Sequence, residues 1–405
     1  MTHLFSLALI FIVILIFVYF AIIKPEIRNI IIVALTLRLV VLVAGNYISL
    51  PDSSADANTY ESLAAFFAKD GFFEFYNNLI LDKLDKGNFL SFLIAVPYSV
   101  LGRNILIPIA INLLLSMGTV ILGWYVAKKI WDSASSKKLA WIIALYPSLL
   151  LYSSVVLREV YIWFFLLLAI NSIVNWSKTN ETKQIIFALL NFYILSLFHG
   201  PLALGAFVFL FVVASHQIVE IYSRSKGIKI KIRDLFLITI VFVILGNFFL
   251  GNFNIPKLTT FHFLDNLDEI VIRSEFTTRG EASYPTWSKF NDRIDILYKI
   301  PAKLILFYVS PLPWEVKKLG HLMIMFDGFF YIFLIFLLSK NIKNIWNNYI
   351  LRILVIIFIF YSIIFALGIG NFGTGFRHRT KFLILLMLIV APYLPKITLK
   401  RKIKS

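Results

Sequence analysis

The run Gly368-Ile369-Gly370-Asn371-Phe372-Gly373-Thr374-Gly375-Phe376-Arg377-His378-Arg379-Thr380-Lys381 is the densest chemical signal in the chain. Its glycines can expose backbone N–H groups. Arg377, His378, Arg379 and Lys381 follow where an apolar segment begins. A helix start with free N–H groups favours phosphate, and guanidinium forks match its oxygens. Arg377 and Lys381 share a face if the helix has begun. The alternative is that these cations only anchor a helix to lipid headgroups.

Carboxylates supply the complementary chemistry. Asp52 and Asp56 lie in Pro51-Asp52-Ser53-Ser54-Ala55-Asp56-Ala57-Asn58-Thr59-Tyr60, directly after an apolar run. Either could act as a general base on a hydroxyl; Asp56 could equally cap a helix. Arg158-Glu159 follows Tyr146-Pro147 and Ser153-Ser154. It reads either as an interfacial ion pair of little worth or as a second acidic position facing Asp52 and Asp56. Arg279, beside Gly280, could hold another anionic group. His199-Gly200-Pro201 reads as a turn first and a ligand second. Arg38 lies within an apolar run, where a cation costs on the order of 2.5–3.5 kcal/mol and needs a partner or a wet cavity.

These residues must be positioned by membrane helices. The chain has 405 residues, 60% hydrophobic and 15% charged, with 40 Phe and no Cys. Several apolar runs reach the roughly 20 residues that cross a hydrocarbon core. The absence of Cys excludes disulfides and thiolate chemistry. The net charge of +17 lies in short segments between apolar runs, which fits orientation signals and argues against nucleic acid as a partner.

The expected fold is an all-α polytopic transmembrane bundle forming one membrane domain over 1–405. Eleven spans are predicted, at about 4–23, 29–48, 104–127, 139–156, 161–176, 184–198, 202–221, 235–253, 319–338, 349–367 and 382–394. The shorter runs at about 89–101 and 300–312 read as re-entrant or interfacial segments. Basic segments then face the cytoplasm, loops 50–88 and 254–299 face outward, the N-terminus lies outside and the C-terminus inside. Tyr60, Leu63, Ala64 and Phe67 recur at helical spacing, as do Phe263, Leu267, Ile270 and Val271. Both patterns predict helices lying flat on the membrane surface.

This layout resembles the GT-C superfamily of membrane glycosyltransferases, which take sugars from polyprenyl-linked donors. The residues that carry it are Leu37-Arg38-Leu39 leading into Asp52, Asp56 and Tyr60, the segment from Tyr146-Pro147 to Glu159, and Arg377-His378-Arg379. The Asp…Tyr loop is also similar to O-antigen and exopolysaccharide repeat-unit polymerases. The resemblance implies a polyprenyl-phosphate or pyrophosphate donor, a glycan or lipid acceptor, contact with membrane lipids, and a bacterial-type plasma (inner) membrane. It gives Asp56 or Asp52 the role of base or metal ligand and Glu159 the second acidic place. A divalent cation on Asp52, Asp56 and Glu159 is one alternative, the cofactor otherwise being open. The donor phosphate would meet Arg377, His378, Arg379, Lys381 and Arg279. The competing class is a lipid-linked oligosaccharide flippase or other transporter.

Overall fold

A computed structural model describes residues 2–45, 47–48, 55–80, 88–223, 271–272, 277–278 and 280–395. Asp52, Arg279, the span at 235–253, most of the Phe263–Val271 pattern and the basic tail lie outside the described residues. Within them the protein is helical. Ser283 and Asn371 form an isolated antiparallel bridge.

The helices, in chain order, are α1 (Thr2–Ile23), α2 (Arg28–Ala44), α3 (Ala55–Phe67), α4 (Phe72–Ile80), α5 (Phe89–Leu101), α6 (Leu106–Ile130), α7 (Ser133–Leu145), α8 (Pro147–Ser153), α9 (Glu159–Thr179), α10 (Thr182–Phe198), α11 (Leu204–Ser223), α12 (Arg293–Val309), α13 (Leu319–Lys340), α14 (Ile342–Asn347), α15 (Tyr349–Leu367), α16 (Phe372–Thr380) and α17 (Leu383–Val390). Among the described residues, six helical stretches are long and apolar enough to cross a membrane: Thr2–Ile23, Pro25–Ala44, Leu106–Ile130, Glu159–Thr179, Leu319–Lys340 and Tyr349–Leu367.

Two predicted spans are broken. The run 139–156 divides into α7 and α8 at Pro147, which lacks the N–H that would bond to Ile143. The run 382–394 is preceded by a separate short helix, α16, and shortens to α17. In the other direction, the short run at 300–312 belongs to a helix of 17 residues, α12, that begins at Arg293 behind the Asp292 cap.

Loop charges sort to the two ends of the bundle. At one end Lys128 reaches Glu26 at 2.6 Å and Lys137 reaches it at 3.7 Å. There too Lys178 donates to the Lys129 carbonyl at 2.6 Å, and Lys138 to the carbonyls of Pro392 and Leu394 at 2.9 and 2.8 Å. Of the basic segments predicted to share one face, those at 128–138 and at 178 therefore meet. Asp56, Glu159, His199 and Arg377 gather at the other end.

α3 is not simply laid on a lipid surface. Tyr60 and Ala64 are buried, and Phe67 stacks on Phe92 of α5 with ring centres 4.9 Å apart. Ser91 of α5 donates to the Tyr60 carbonyl at 3.0 Å. The apolar stripe that predicted a surface helix is covered by protein, and this fixes Asp56 one turn upstream.

Candidate functional site

Each charged group of the site stands at a helix end. Asp56 lies in the first turn of α3. Glu159 opens α9, where a carboxylate faces the positive end of the helix dipole. His199 ends α10. α16 is started by Asn371, whose side chain accepts from the Thr374 N–H at 2.7 Å. One helical turn then carries Arg377 and Lys381 to the same side.

There the charges meet. Arg377 Nη1 donates to Asp56 Oδ2 at 2.5 Å. Arg377 Nη2 lies 3.6 Å from Glu159 Oε1, and Lys381 Nζ lies 3.9 Å from the same oxygen. Glu159 and Lys381 are fully buried, Arg377 is 16% exposed and Asp56 is 50% exposed. Neither Glu159 oxygen accepts a hydrogen bond from a described residue, and Arg377 Nε donates none. A buried carboxylate held by charge alone, without a hydrogen bond, is costly, so its retention points to a use beyond packing.

Electrostatics couple the neighbours. Burial by itself raises the Asp56 carboxyl, but its bond to Arg377 and the charges of Arg377, Arg158 and Lys381 outweigh that and hold it below its ordinary value. Burial raises the Tyr60 hydroxyl, whose surroundings also include Arg158, Glu159, Asp56 and Arg377. Arg158 donates to the Phe198 carbonyl at 3.1 Å. His199 and His378 meet edge to face with ring centres 5.0 Å apart, and His199 stacks on Phe365 at 5.1 Å. Thus Asp56, Tyr60, Arg158, Glu159, His199, Arg377, His378 and Lys381 come together. Among the described residues no three His, Asp or Glu side chains are placed to hold a metal ion.

Arg379 corrects the sequence reading. It is fully buried on the other side of α16. Its Nε donates to Asp327 at 2.9 Å, Nη1 to the carbonyls of Phe307, Tyr308 and Ser310 at 3.0, 3.0 and 3.2 Å, and Nη2 to Ile324 at 2.7 Å. Pro311 cannot bond back to Phe307, so the last carbonyls of α12 need a donor and Arg379 is that donor. No face of its fork is left for a phosphate.

Arg38 does the same elsewhere. It donates to Ser116 at 3.1 Å, to Ala34 at 3.2 Å, and to Ala144 and Ile143 at 3.4 Å each. The last two are carbonyls at the end of α7, where Pro147 interrupts the ladder. Arg38 thus finds its partners in a helix C-terminus, away from the cluster.

The glycine run is also corrected in part. The Phe372 N–H donates to the Ala282 carbonyl at 2.9 Å, and the Tyr284 N–H to Gly370 at 2.8 Å. A side chain at Gly370 would collide with Thr277 and Thr278 at 2.4–2.6 Å, and one at Gly375 with the Tyr284 hydroxyl at 2.7 Å. These glycines let the segment around 277–284 lie against α16. They are there for close approach of Thr277, Thr278 and Tyr284; at Gly373 an added Cβ would meet only the Asn371 side chain, at an ordinary 3.6 Å.

The chain was compared with family models, with curated proteins and with solved structures, and none of the three gives a match. The geometry of the cluster therefore carries the functional reading.

Asp327 is a residue the sequence reading passes over. A lone carboxylate inside the apolar run of α13 is the signal that points to it. It accepts from Tyr146 at 2.5 Å as well as from Arg379, and it borders a cavity of about 890 Å³ between α7–α8 and α13, lined by Trp141, Leu145, Phe326 and Phe330. That cavity is mostly apolar and does not touch the Asp56 cluster. A second one, of about 550 Å³, lies between α3 and the Gly102 end of α5. Pocket size and charged chemistry are separate here, and the chemistry is the better guide.

Proposed function

We propose that the protein is an integral membrane glycosyltransferase that moves a sugar or glycan from a polyprenyl-phosphate or pyrophosphate carrier to a glycan or lipid acceptor at the outer face of the membrane. The same donor chemistry serves a repeat-unit polymerase. Eleven spans of GT-C-like layout, with the N-terminus outside, belong to this reading.

The observation that carries it is the meeting of Asp56, Glu159, Arg377 and Lys381 at one end of the bundle, from three well-separated stretches of chain. In the reaction, the acceptor hydroxyl oxygen bonds to the anomeric carbon while the bond from that carbon to the phosphate oxygen breaks. The bonding pair leaves with the phosphate, and the hydroxyl proton passes to Asp56. Arg377 and Lys381 face the charge that grows on the leaving oxygen, which lowers the barrier more than it stabilises the bound donor. Glu159 holds the two cations in register. A transport reading would ask for charges available along a path through the membrane. Arg38, Lys303, Arg379 and Asp327, charged groups deep in the bundle, are instead engaged with fixed partners.

The experiment is transfer from a polyprenyl-linked donor by purified protein in detergent. Asp56→Asn is expected to abolish transfer while leaving insertion and folding intact. Loss of activity in Asp52→Asn with Asp56→Asn fully active would make Asp52 the base and Asp56 a helix cap. Full activity in both variants would remove the carboxylate mechanism.

A further inference from the structure

In the cluster as it stands, the base and the anion site occupy each other. Asp56 Oδ2 sits on Arg377 Nη1 at 2.5 Å, so this carboxylate oxygen and this donor are engaged with each other rather than with an acceptor and a phosphate. The members differ in freedom to move. Glu159 is fully buried in the first turn of α9, whereas the Asp56 side chain is half exposed. If Asp56 leaves, Arg377 keeps Glu159 at 3.6 Å, so no guanidinium is stranded. If Glu159 were to leave, Lys381, fully buried, would lose the carboxylate that it faces at 3.9 Å.

Charge then selects the ligand. Among the described residues, Arg377 and Lys381 face Glu159, and the charges of Arg158, Arg377 and Lys381 act on Asp56, a balance of one positive charge. Departure of Asp56 raises it to two. A phosphodiester carries one negative charge at neutral pH and only replaces the carboxylate it displaces. A diphosphate esterified at both ends carries two and leaves the cluster neutral.

Resting on the glycosyltransferase reading, we infer that the Asp56–Arg377 pair is a self-inhibiting contact, which the dianionic diphosphate of a pyrophosphate-linked donor displaces, freeing Asp56 to meet the acceptor. The donor binds first, because Asp56 becomes available only when Arg377 has exchanged its partner. Tyr60, one turn along α3 and buried, stays in place and lets Asp56 swing at the helix start.

The test uses the full-length protein in detergent and two small probes, P1,P2-dimethyl diphosphate and dimethyl phosphate, titrated by phosphorus NMR. The wild type is expected to bind the dianion about tenfold more tightly than the monoanion, the size of one added charge-assisted contact. Asp56→Asn is expected to bind the dianion about tenfold more tightly again, since its competitor is gone. Asp56→Ser, at the same half-exposed position, carries the same expectation should the Asn variant fail to fold. Arg377→Ala should bind neither probe. Equal or weaker binding of the dianion by the Asp56 variants overturns the inference, as does equal affinity of the wild type for the two probes. These titrations need no turnover. The expected binding with no glycosyl transfer by the wild type leaves the displaced pair standing and removes the transferase reading. Arg377-dependent transfer with unchanged binding in the Asp56 variants does the reverse.

Discussion

Arg377 and Arg379 lie two residues apart on one short helix, about 200° apart around it, and they do opposite things. Arg379 faces inward, and each nitrogen of its fork ends on a fixed acceptor at the end of α12, on α13 or on Asp327. Arg377 faces the cluster with Asp56 and Glu159, with one exposed carboxylate in bonding range, a second beyond it and an Nε that bonds to nothing among the described residues. Arg38 belongs with Arg379, since each closes a helix C-terminus that a proline has left open. A buried cation is therefore no sign of a site by itself. Incomplete satisfaction is the better sign, because a group already bonded on every side has nothing to offer a ligand.

The contrast predicts its largest effect at Arg379. Arg379→Ala leaves the buried Asp327 carboxylate with Tyr146 but without its cation and reopens the carbonyls of α12. Breaking a buried pair on one side costs about 3–5 kcal/mol. The variant is expected to lose folded, monodisperse protein in size-exclusion chromatography. The double variant Arg379→Met with Asp327→Leu should recover part of it, because no charge is then left unpaired. If Arg379→Ala were as stable as wild type but inactive in transfer, Arg379 would join Arg377 in the site and the comparison would fail.

At Arg377 the effect moves from stability to turnover. Arg377→Lys keeps a positive charge near Glu159 but gives up the fork that spans two oxygens. It is expected to fold like the wild type and to transfer on the order of 10- to 100-fold more slowly, the loss of one charge-assisted contact; Arg377→Ala should be slower still. Transfer is measured in detergent, where anchoring to headgroups no longer matters. Wild-type rates in both variants would return Arg377 to the role of a lipid anchor.

The sequence reveals this pair only up to a point. The six long apolar helices are legible because apolar runs of that length have few other stable places. The gathering of Asp56, Glu159, Arg377 and Lys381 is legible too, since charges next to apolar runs at one end of a bundle can only meet at that end. Which cation faces the site is another matter. It depends on the phase of α16, set by Asn371, and on Pro311 and Asp327, which are distant in sequence from Arg379. The glycines mislead for the same reason: Gly370 and Gly375 answer to Thr277, Thr278 and Tyr284, contacts that local sequence does not encode. The apolar stripe of α3 predicts burial correctly but not by what, and α5 is what covers it.

The smallest effect separates the two arginines by pH. The Asp56 carboxyl is held below its ordinary value by Arg377 and the cations around it, against the opposing pull of burial. A group lowered on folding stabilises the protein above its unfolded value, and the contribution disappears as the pH falls through the folded one. Asp56 is half exposed, so the pair contributes no more than about 1 kcal/mol after solvent screening. Asp56→Asn lacks that contribution at every pH. The gap in inactivation temperature between wild type and Asp56→Asn is therefore expected to stay level from neutral pH down to about pH 5 and to close on further acidification. Arg379 and Asp327 are common to both proteins and cancel in the difference, so the closing gap reports on Asp56 with Arg377 and the cations around it. A gap that widens on acidification would mean that Asp56 is stabilised in its protonated form, and a protonated carboxyl donating to a neighbour is incompatible with the ion pair to Arg377 on which the site is built.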